Sequence, residues 1–321
     1  MKKKLLLICA TGLLPLTMCQ QYNEDLLPAG TITATVPQAD AMLQQARTYL
    51  AQGKLGKAES LLKGLLSRYA LAPCAPEARM LLAETYEKNN MPRDAFEEYD
   101  KIVSMYQSSP LYTKAIERQL SLAMAAADGR LTTNVMGLWR SRMDSEVVEK
   151  WLASVIRNAP YNDMAATAAS ILGKHYVNNE DYDKAIQTYT RLVENYPNSR
   201  YAPEAQLMVA QLWASSRTRG DQNMANLHRA QEAYEEFSLR FPRHKDAGKA
   251  LAEASNMRRL LVQQELEAGR FYLERSHEYT SAAFCFENVI RQRNINPEAA
   301  KEAEVLLQRA RAAGGVTKKI R

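Results

Sequence analysis

The chain is short of the residues that make turns. Its 321 residues include 13 glycines and 12 prolines, about 8% together against roughly 12% in an average protein. Sandwiches and barrels spend such residues at every hairpin, so a turn-rich all-β fold is disfavoured. Cysteine is equally scarce, with four in all. Cys9 and Cys19 lie near the start, which leaves Cys74 and Cys285, too few and too far apart for a disulfide framework. Without a Cys-x-x-Cys spacing they also make no zinc site, and they read as unpaired structural thiols. No apolar run reaches the roughly 18 residues of a membrane-spanning helix. The four histidines, His175, His228, His244 and His277, are scattered and form no His-Glu-x-x-His motif. Alanine, by contrast, is abundant at 46 residues. An alanine-rich chain poor in breakers points to an all-α fold, because Ala loses least on entering a helix.

The start of the chain stands apart. Lys2, Lys3 and Lys4 precede an apolar stretch from Leu5 to Leu16, the pattern of a secretory leader over 1–18. Leu16-Thr17-Met18-Cys19 resembles a bacterial lipobox, although Met18 stands where Gly, Ala or Ser is usual. The resemblance implies acylation of Cys19 and, with neutral Gln20 after it, sorting to the outer membrane. A plain secreted or uncleaved N-terminus is the alternative. Residues 19–38 carry Pro28, Gly30 and Pro37 without periodicity and are expected to be a flexible tether. The formal charge of +6 falls to +3 once the three leader lysines are set aside, a balance that does not mark a nucleic-acid binder.

From residue 39 onward the sequence repeats. Between Ala166 and Pro197, Leu172-Gly173, Tyr176, Tyr182, Ala185, Tyr189 and Pro197 stand at tetratricopeptide-repeat spacing. Gly173 and Ala185 are small where two helices must cross closely. Tyr176 and Tyr189 fill the space beside the crossing, and Asn179-Glu180-Asp181 makes the turn. Ala46, Tyr49, Gly53, Ala58 and Leu62 fit the same template, as do Ala83, Tyr86, Asn90, Ala95 and Tyr99. So do Ala210, Trp213, Ala230 and Tyr234, with a polar loop from Ser215 to Asn226, and Gly269, Tyr272, Tyr279, Ala282 and Phe286. Residues 109–160 fit poorly: helices are expected over Tyr112–Ala127 and Glu146–Asn158, with an extra helical piece around Val135–Met143. The pattern predicts a superhelical solenoid of about six helical hairpins over 39–313. Its units cover about 39–72, 76–107, 109–160 (degenerate), 166–197, 203–242 and 247–296. A capping helix follows at 297–312, and a basic tail at 314–321.

One family resembles the chain more closely. Tyr196-Pro197-Asn198-Ser199-Arg200-Tyr201 with Glu204-Ala205 looks like a repeat junction of the BamD family of outer-membrane assembly factors, also called YfiO or ComL. Asp221-Gln222 ahead of Ala230, Tyr234 and Phe241-Pro242, and the stretch Leu260, Glu265, Ala268, Phe271-Tyr272, Glu274-Arg275, extend the likeness. It covers most of 39–312 and is most specific in the last 90 or so residues. The chain departs from the family in its degenerate third unit, in a turn lengthened by His277-Glu278, and in Arg291–Asn296, which lacks a Tyr-Pro. The resemblance implies a lipid-anchored scaffold on the periplasmic face of the bacterial outer membrane. Its C-terminal repeats would dock the barrel-forming assembly subunit, and its N-terminal repeats would contact unfolded barrel proteins. A Tol–Pal-type division coordinator is the first alternative, though no heptads precede the repeats. An adaptor of an envelope peptidase or glycan enzyme is the second.

No catalytic constellation is legible, and the expectation is a protein-binding molecule with neither enzyme activity, metal nor cofactor, and no small-molecule substrate. Gly53-Lys54-Leu55-Gly56-Lys57 lacks the spacing of a phosphate loop and falls in a hairpin turn. Glu97-Glu98 and Glu235-Glu236 are helix neighbours that diverge. Tyr49, Tyr86, Tyr176 and Tyr189 are expected in the core. The first helix of each hairpin should line the inner face, making Arg47, Glu84, Lys88, Lys174, Asn178 and Gln211 candidates for a peptide groove. Arg243, Arg258 and Arg259, in a locally basic C-terminal region with Arg240 and Lys245, are candidates for docking a partner.

Overall fold

The computed structural model describes residues 36–135, 139–216 and 223–315. Among them the chain forms six helical hairpins in series: α1 (Pro37–Ala51) with α2 (Leu55–Arg68), α3 (Ala75–Lys88) with α4 (Pro92–Met105), α5 (Tyr112–Ala127) with α6 (Ser145–Asn158), α7 (Asp163–Asn178) with α8 (Tyr182–Asn195), α9 (Ala202–Ser215) with α10 (Asn223–Arg240), and α11 (Ala247–Phe271) with α12 (Tyr279–Arg291). Helix α13 (Pro297–Gly314) follows, and each helix packs on the next, which makes a tetratricopeptide-repeat solenoid. Proline opens several helices at their first turn, where its missing N–H costs nothing. Helix α1 begins at Pro37, so residues 37–38 belong to the solenoid rather than to the tether. Cys19 and the tail from 316 lie outside the described residues, as do 217–222 of the polar loop, whose last residues already belong to α10.

The hairpin crossings follow the small-residue logic. A Cβ added at Gly173 would lie 2.5 Å from the Tyr189 ring, and one at Gly269 would lie 2.6 Å from Phe286. The facing residue, four after each key alanine, is Leu62, Tyr99, Tyr189, Tyr234 or Phe286, and all five are buried. Burial pushes the Tyr189 and Tyr234 hydroxyls up to about 12. The aromatic three residues after the small position behaves differently from expectation. Tyr86 is buried, but Tyr49 and Tyr176 are only half-buried. Each of the exposed rings is covered by a cation from the residue preceding the key alanine: Lys57 lies 5.9 Å from the Tyr49 ring centre, Lys184 5.1 Å from Tyr176 and Arg229 4.6 Å from Trp213.

Turns repeat as well. Five residues before the key alanine, Gly53, Asn90, Glu180 and His277 all take left-handed backbone, with φ of 70°, 57°, 62° and 56°. Twelve residues separate Gly173 from Ala185, but thirteen separate Gly269 from Ala282. The extra residue is absorbed by a turn of π-helix, Tyr272–Ser276, at the end of α11. That widened turn lets the sixth hairpin close with the same crossing as the fourth.

The third unit departs from the template. In place of the helical piece expected around Val135–Met143, β1 (Thr132–Val135) and β2 (Trp139–Arg142) form an antiparallel ribbon pairing Thr132 with Arg142 and Val135 with Trp139. Thr132, Thr133 and Val135 are β-branched, which favours extended backbone over helix. Leu131 and Met143 pack into the core at the base of the ribbon. A polar knot replaces the usual crossing. The Asp100 Oδ1 of α4 accepts from Gln119 Nε2 (3.0 Å, α5), Ser154 Oγ (3.0 Å, α6) and Asn158 Nδ2 (3.2 Å, α6). Phe96 stacks on Trp151 with centroids 4.5 Å apart.

Candidate protein-binding surface

The first helices of consecutive hairpins meet along one strip of the solenoid, and ion pairs cross it. Arg47 of α1 bonds Glu77 of α3, and Lys114 of α5 lies 3.6 Å from Glu84 of α3. Arg118 of α5 pairs with Glu87 at 2.5 Å, where Tyr99 also donates to Glu87 at 2.6 Å. Hydrogen bonds to Tyr99 and Glu87 hold Arg118 firmly charged, with its pKa raised. Each of these pairs links residues about thirty apart, one repeat less one helical turn. At the other end Arg270 of α11 bonds Glu302 of α13. From α5 through α7 and α9 to α11, no ion pair joins neighbouring first helices among the described residues.

The six groove candidates therefore divide. Arg47 and Glu84 are committed to their neighbours, whereas Lys88, Lys174, Asn178 and Gln211 are exposed. The structure places Lys174 and Asn178 on α7 and Gln211 on α9, the stretch without cross-links. Glu77, Glu87, Lys114 and Arg118 were missed in the sequence. Opposite charges recurring at a spacing of about thirty residues were the signal that could have found them.

The three arginines read as a docking group are not brought together. Arg258 and Arg259 are consecutive on α11 and diverge by about 100° around it. Arg258 pairs with Glu235 of α10 at 2.5 Å. Arg259 instead lines a cleft of about 650 Å³ between α11 and α13, with Gln263, Asn296, Lys301 and Glu302. Arg243 is exposed in the turn between α10 and α11.

Among the described residues no cluster of His, Cys, Asp or Glu could hold a metal ion. Cys74 and Cys285 are half-buried and free. Burial, then a hydrogen bond with Asp40, pushes the Cys74 thiol up to about 11, and burial also raises Cys285. The half-buried His175 takes Ser145 Oγ at 2.8 Å, but Asn179 Nδ2 also donates to Ser145 at 2.7 Å, and Ser145 reaches Glu149 at 3.3 Å. This cluster fastens α6 to α7. Its serine is held by three residues that already saturate it, an arrangement suited to a fastener rather than to a nucleophile.

Residues 176–320 match the model of the YfiO family, an outer membrane lipoprotein, and residues 43–110 match a tetratricopeptide-repeat model. Over residues 176–320 the chain is BamD-like, and it is a tetratricopeptide-repeat protein. The family match begins within α7 and runs through the cap. It is narrower than the likeness over 39–312 expected from the sequence, and it leaves the first three hairpins to the general repeat pattern. No curated protein matches the chain. Among solved structures it is similar to a tetratricopeptide-repeat protein from Parabacteroides merdae (15% identity, 85% of this chain and 100% of that one, TM-score 0.33). A thermophilic repeat protein of Thermus thermophilus is similar at 20% identity over 67% of this chain and 98% of that one, with a TM-score of 0.30. Such low TM-scores add nothing to the architecture described above. Both the repeats and the YfiO family belong to generally non-catalytic, protein-binding scaffolds of this type, and the family associates the chain with the outer membrane.

Proposed function

We propose that the chain is a lipid-anchored periplasmic scaffold of the machinery that assembles β-barrel proteins in the outer membrane. The YfiO-family match over residues 176–320, set in a solenoid with three further hairpins ahead of it, carries this reading. Cys19 is the acylation site, and the residues between it and α1 are the tether. The solenoid from α1 to α13 acts by binding and positioning, without turnover or cofactor. The barrel-forming subunit docks in the cleft beside Arg259, with Arg243 and Arg258 as separate contacts outside it. Unfolded barrel proteins are held along the first-helix strip, where Lys88, Lys174, Asn178 and Gln211 are open, while Arg47 and Glu84 shape it through their ion pairs.

The test is a pull-down of the full chain through a C-terminal tag from solubilised membranes, with mass spectrometry of what accompanies it. A barrel-assembly subunit is expected. Division or peptidoglycan factors in its place would replace the function and leave the fold intact.

A further inference from the structure

The ribbon between α5 and α6 is the one place among the described residues where this helical solenoid presents β-structure, and its sheet has two strands only. Each strand pairs along one side, so each keeps a free edge. In an antiparallel ladder alternate residues turn their N–H and C=O away from the partner. Two of the four residues of β1 therefore offer unpaired main-chain donors and acceptors along its outer edge. Water satisfies such groups well enough, but only another extended chain satisfies them in register.

The two edges differ in protection. Folded proteins blunt exposed edges with charge, proline or bulges. Strand β2 reads Trp139-Arg140-Ser141-Arg142 and carries arginine at two of its four positions. Strand β1 reads Thr132-Thr133-Asn134-Val135, with three β-branched residues and neither charge nor proline. It is a good strand former left unguarded. Its base is fixed: Leu131 and Met143 pack into the core of the N-terminal hairpins, Gly129 turns the chain at a φ of 69°, and Arg130 pairs with Asp128 at 2.8 Å. An isolated hairpin is marginal in water, whereas one anchored at both ends of its base and extended by a third strand is not.

We propose that the outer edge of β1 is a strand-addition site that takes an extended segment of an unfolded β-barrel protein as a third strand. This rests on the assembly reading above and adds to it a mode of capture that the helices cannot supply. Main-chain pairing recognises any extended segment of alternating pattern, which suits a client set that shares strands and differs in sequence. The two arginines that β2 adds, with no acid in either strand, favour neutral or acidic clients over a second copy of this chain, which carries the same charges.

The experiment uses the full chain in detergent and, as probe, a small outer-membrane barrel protein diluted from urea. Hydrogen exchange should slow in residues 132–135 when the probe binds, while α11 and α12 exchange as before. The double variant T133K/N134K places a lysine on each face of the edge strand and removes no N–H, so the ribbon and the solenoid remain. It should weaken binding about tenfold, the worth of one or two main-chain hydrogen bonds. The single variants T133P and N134P should differ, since one of the two falls on an outward N–H and the other on the ladder. Binding of the probe with neither protection at 132–135 nor loss in the lysine variant would overturn the strand-addition site and leave the scaffold reading standing. If the probe fails to bind at all, both readings fall. Protection that appears without probe and grows with protein concentration would assign the edge to a second copy and overturn the client proposal.

Discussion

The two ends of the solenoid reach the same repeat geometry by different means. The N-terminal hairpins, α1 to α6, are tied by buried polar groups, one pair within the second hairpin and the others between units. Arg79 and Glu98 form a buried pair at 2.9 Å, Tyr106 donates to the Ala70 carbonyl at 2.7 Å, and Asp100 gathers three donors from two helices. From α7 onward the crossings rest on shape, with Gly173 under Tyr189 and Gly269 under Phe286. Polar knots fix which helix meets which, because a mispaired helix leaves a buried charge unsatisfied. Shape complementarity fixes only how closely helices approach. The end with the polar knots is also the end whose repeat pattern is least regular, which suggests why it needs them. The first-helix strip mirrors the difference: it is closed by ion pairs in the first three units and open over α7 and α9.

The largest effect should come from unbalancing the buried pair. Glu98→Ala leaves the Arg79 guanidinium, 5% exposed, without its carboxylate, and should cost about 3–5 kcal/mol. Because stability in a repeat array is local, exchange should accelerate in α3 and α4 while α12 and α13 are unchanged. Uniform acceleration along the chain would mean that the two ends form one cooperative unit and that the comparison is empty. The cysteines probe the same region from another side. With its pKa raised from the ordinary 9.0 to about 11, Cys74 should alkylate about a hundredfold more slowly near pH 8 than an unperturbed thiol. The raised value means that the thiolate forms only as pH climbs toward 11, so the rate should rise about tenfold per pH unit with no plateau below that point. In the Glu98→Ala variant, opening of the N-terminal hairpins should restore ordinary reactivity to Cys74 and leave Cys285 slow.

How much of this was legible beforehand follows from where the information lies. The solenoid was legible because Ala46, Ala83, Gly173, Ala210 and Gly269 recur with their partners at fixed spacings. The boundaries of α5 and the start of α13 could be read from periodicity and from Pro297. The ribbon was not legible, since a short stretch such as Thr132–Val135 carries too few residues to separate a period of 2 from one of 3.6. Among the surface candidates, Arg47, Glu84 and Lys174 occupy equivalent positions in the repeat and look alike in sequence. Their difference depends on whether a neighbouring helix supplies an opposite charge, and that is a tertiary fact. Arg258 and Arg259 teach the same lesson in reverse, because adjacency in sequence on a helix means divergence in space.

Two smaller perturbations test the C-terminal half. Gly173→Ala gains helix propensity worth about 1 kcal/mol, but its Cβ would meet the buried Tyr189 ring at 2.5 Å. A net loss of about 1–3 kcal/mol is expected, read as a lower urea midpoint with faster exchange in α7 and α8. In the second unit Ala83 already sits opposite Tyr99, so the matching change Ala83→Gly should cost only propensity, about 1 kcal/mol. Equal losses at both sites would show that the closer crossing of the fourth hairpin carries no energetic weight.

The smallest effect separates the two ends at a single backbone angle. The first two hairpins turn on Gly53 and Asn90, residue types that accept left-handed backbone, as His277 of the sixth does more readily than most, whereas the fourth turns on Glu180. A side chain with a Cβ in that conformation costs about 1–2 kcal/mol. Replacing it by glycine recovers that amount less the roughly 0.5–1 kcal/mol of added freedom in the unfolded chain. Glu180→Gly should therefore stabilise by a few tenths to about 1 kcal/mol, and Gly53→Glu should destabilise by a similar amount. The pair of measurements, made by denaturation under one set of conditions, forms a matched exchange between equivalent positions. Opposite signs would locate the difference in the turn itself. A loss in both would mean that Glu180 makes contacts in its own hairpin worth more than the strain of its backbone.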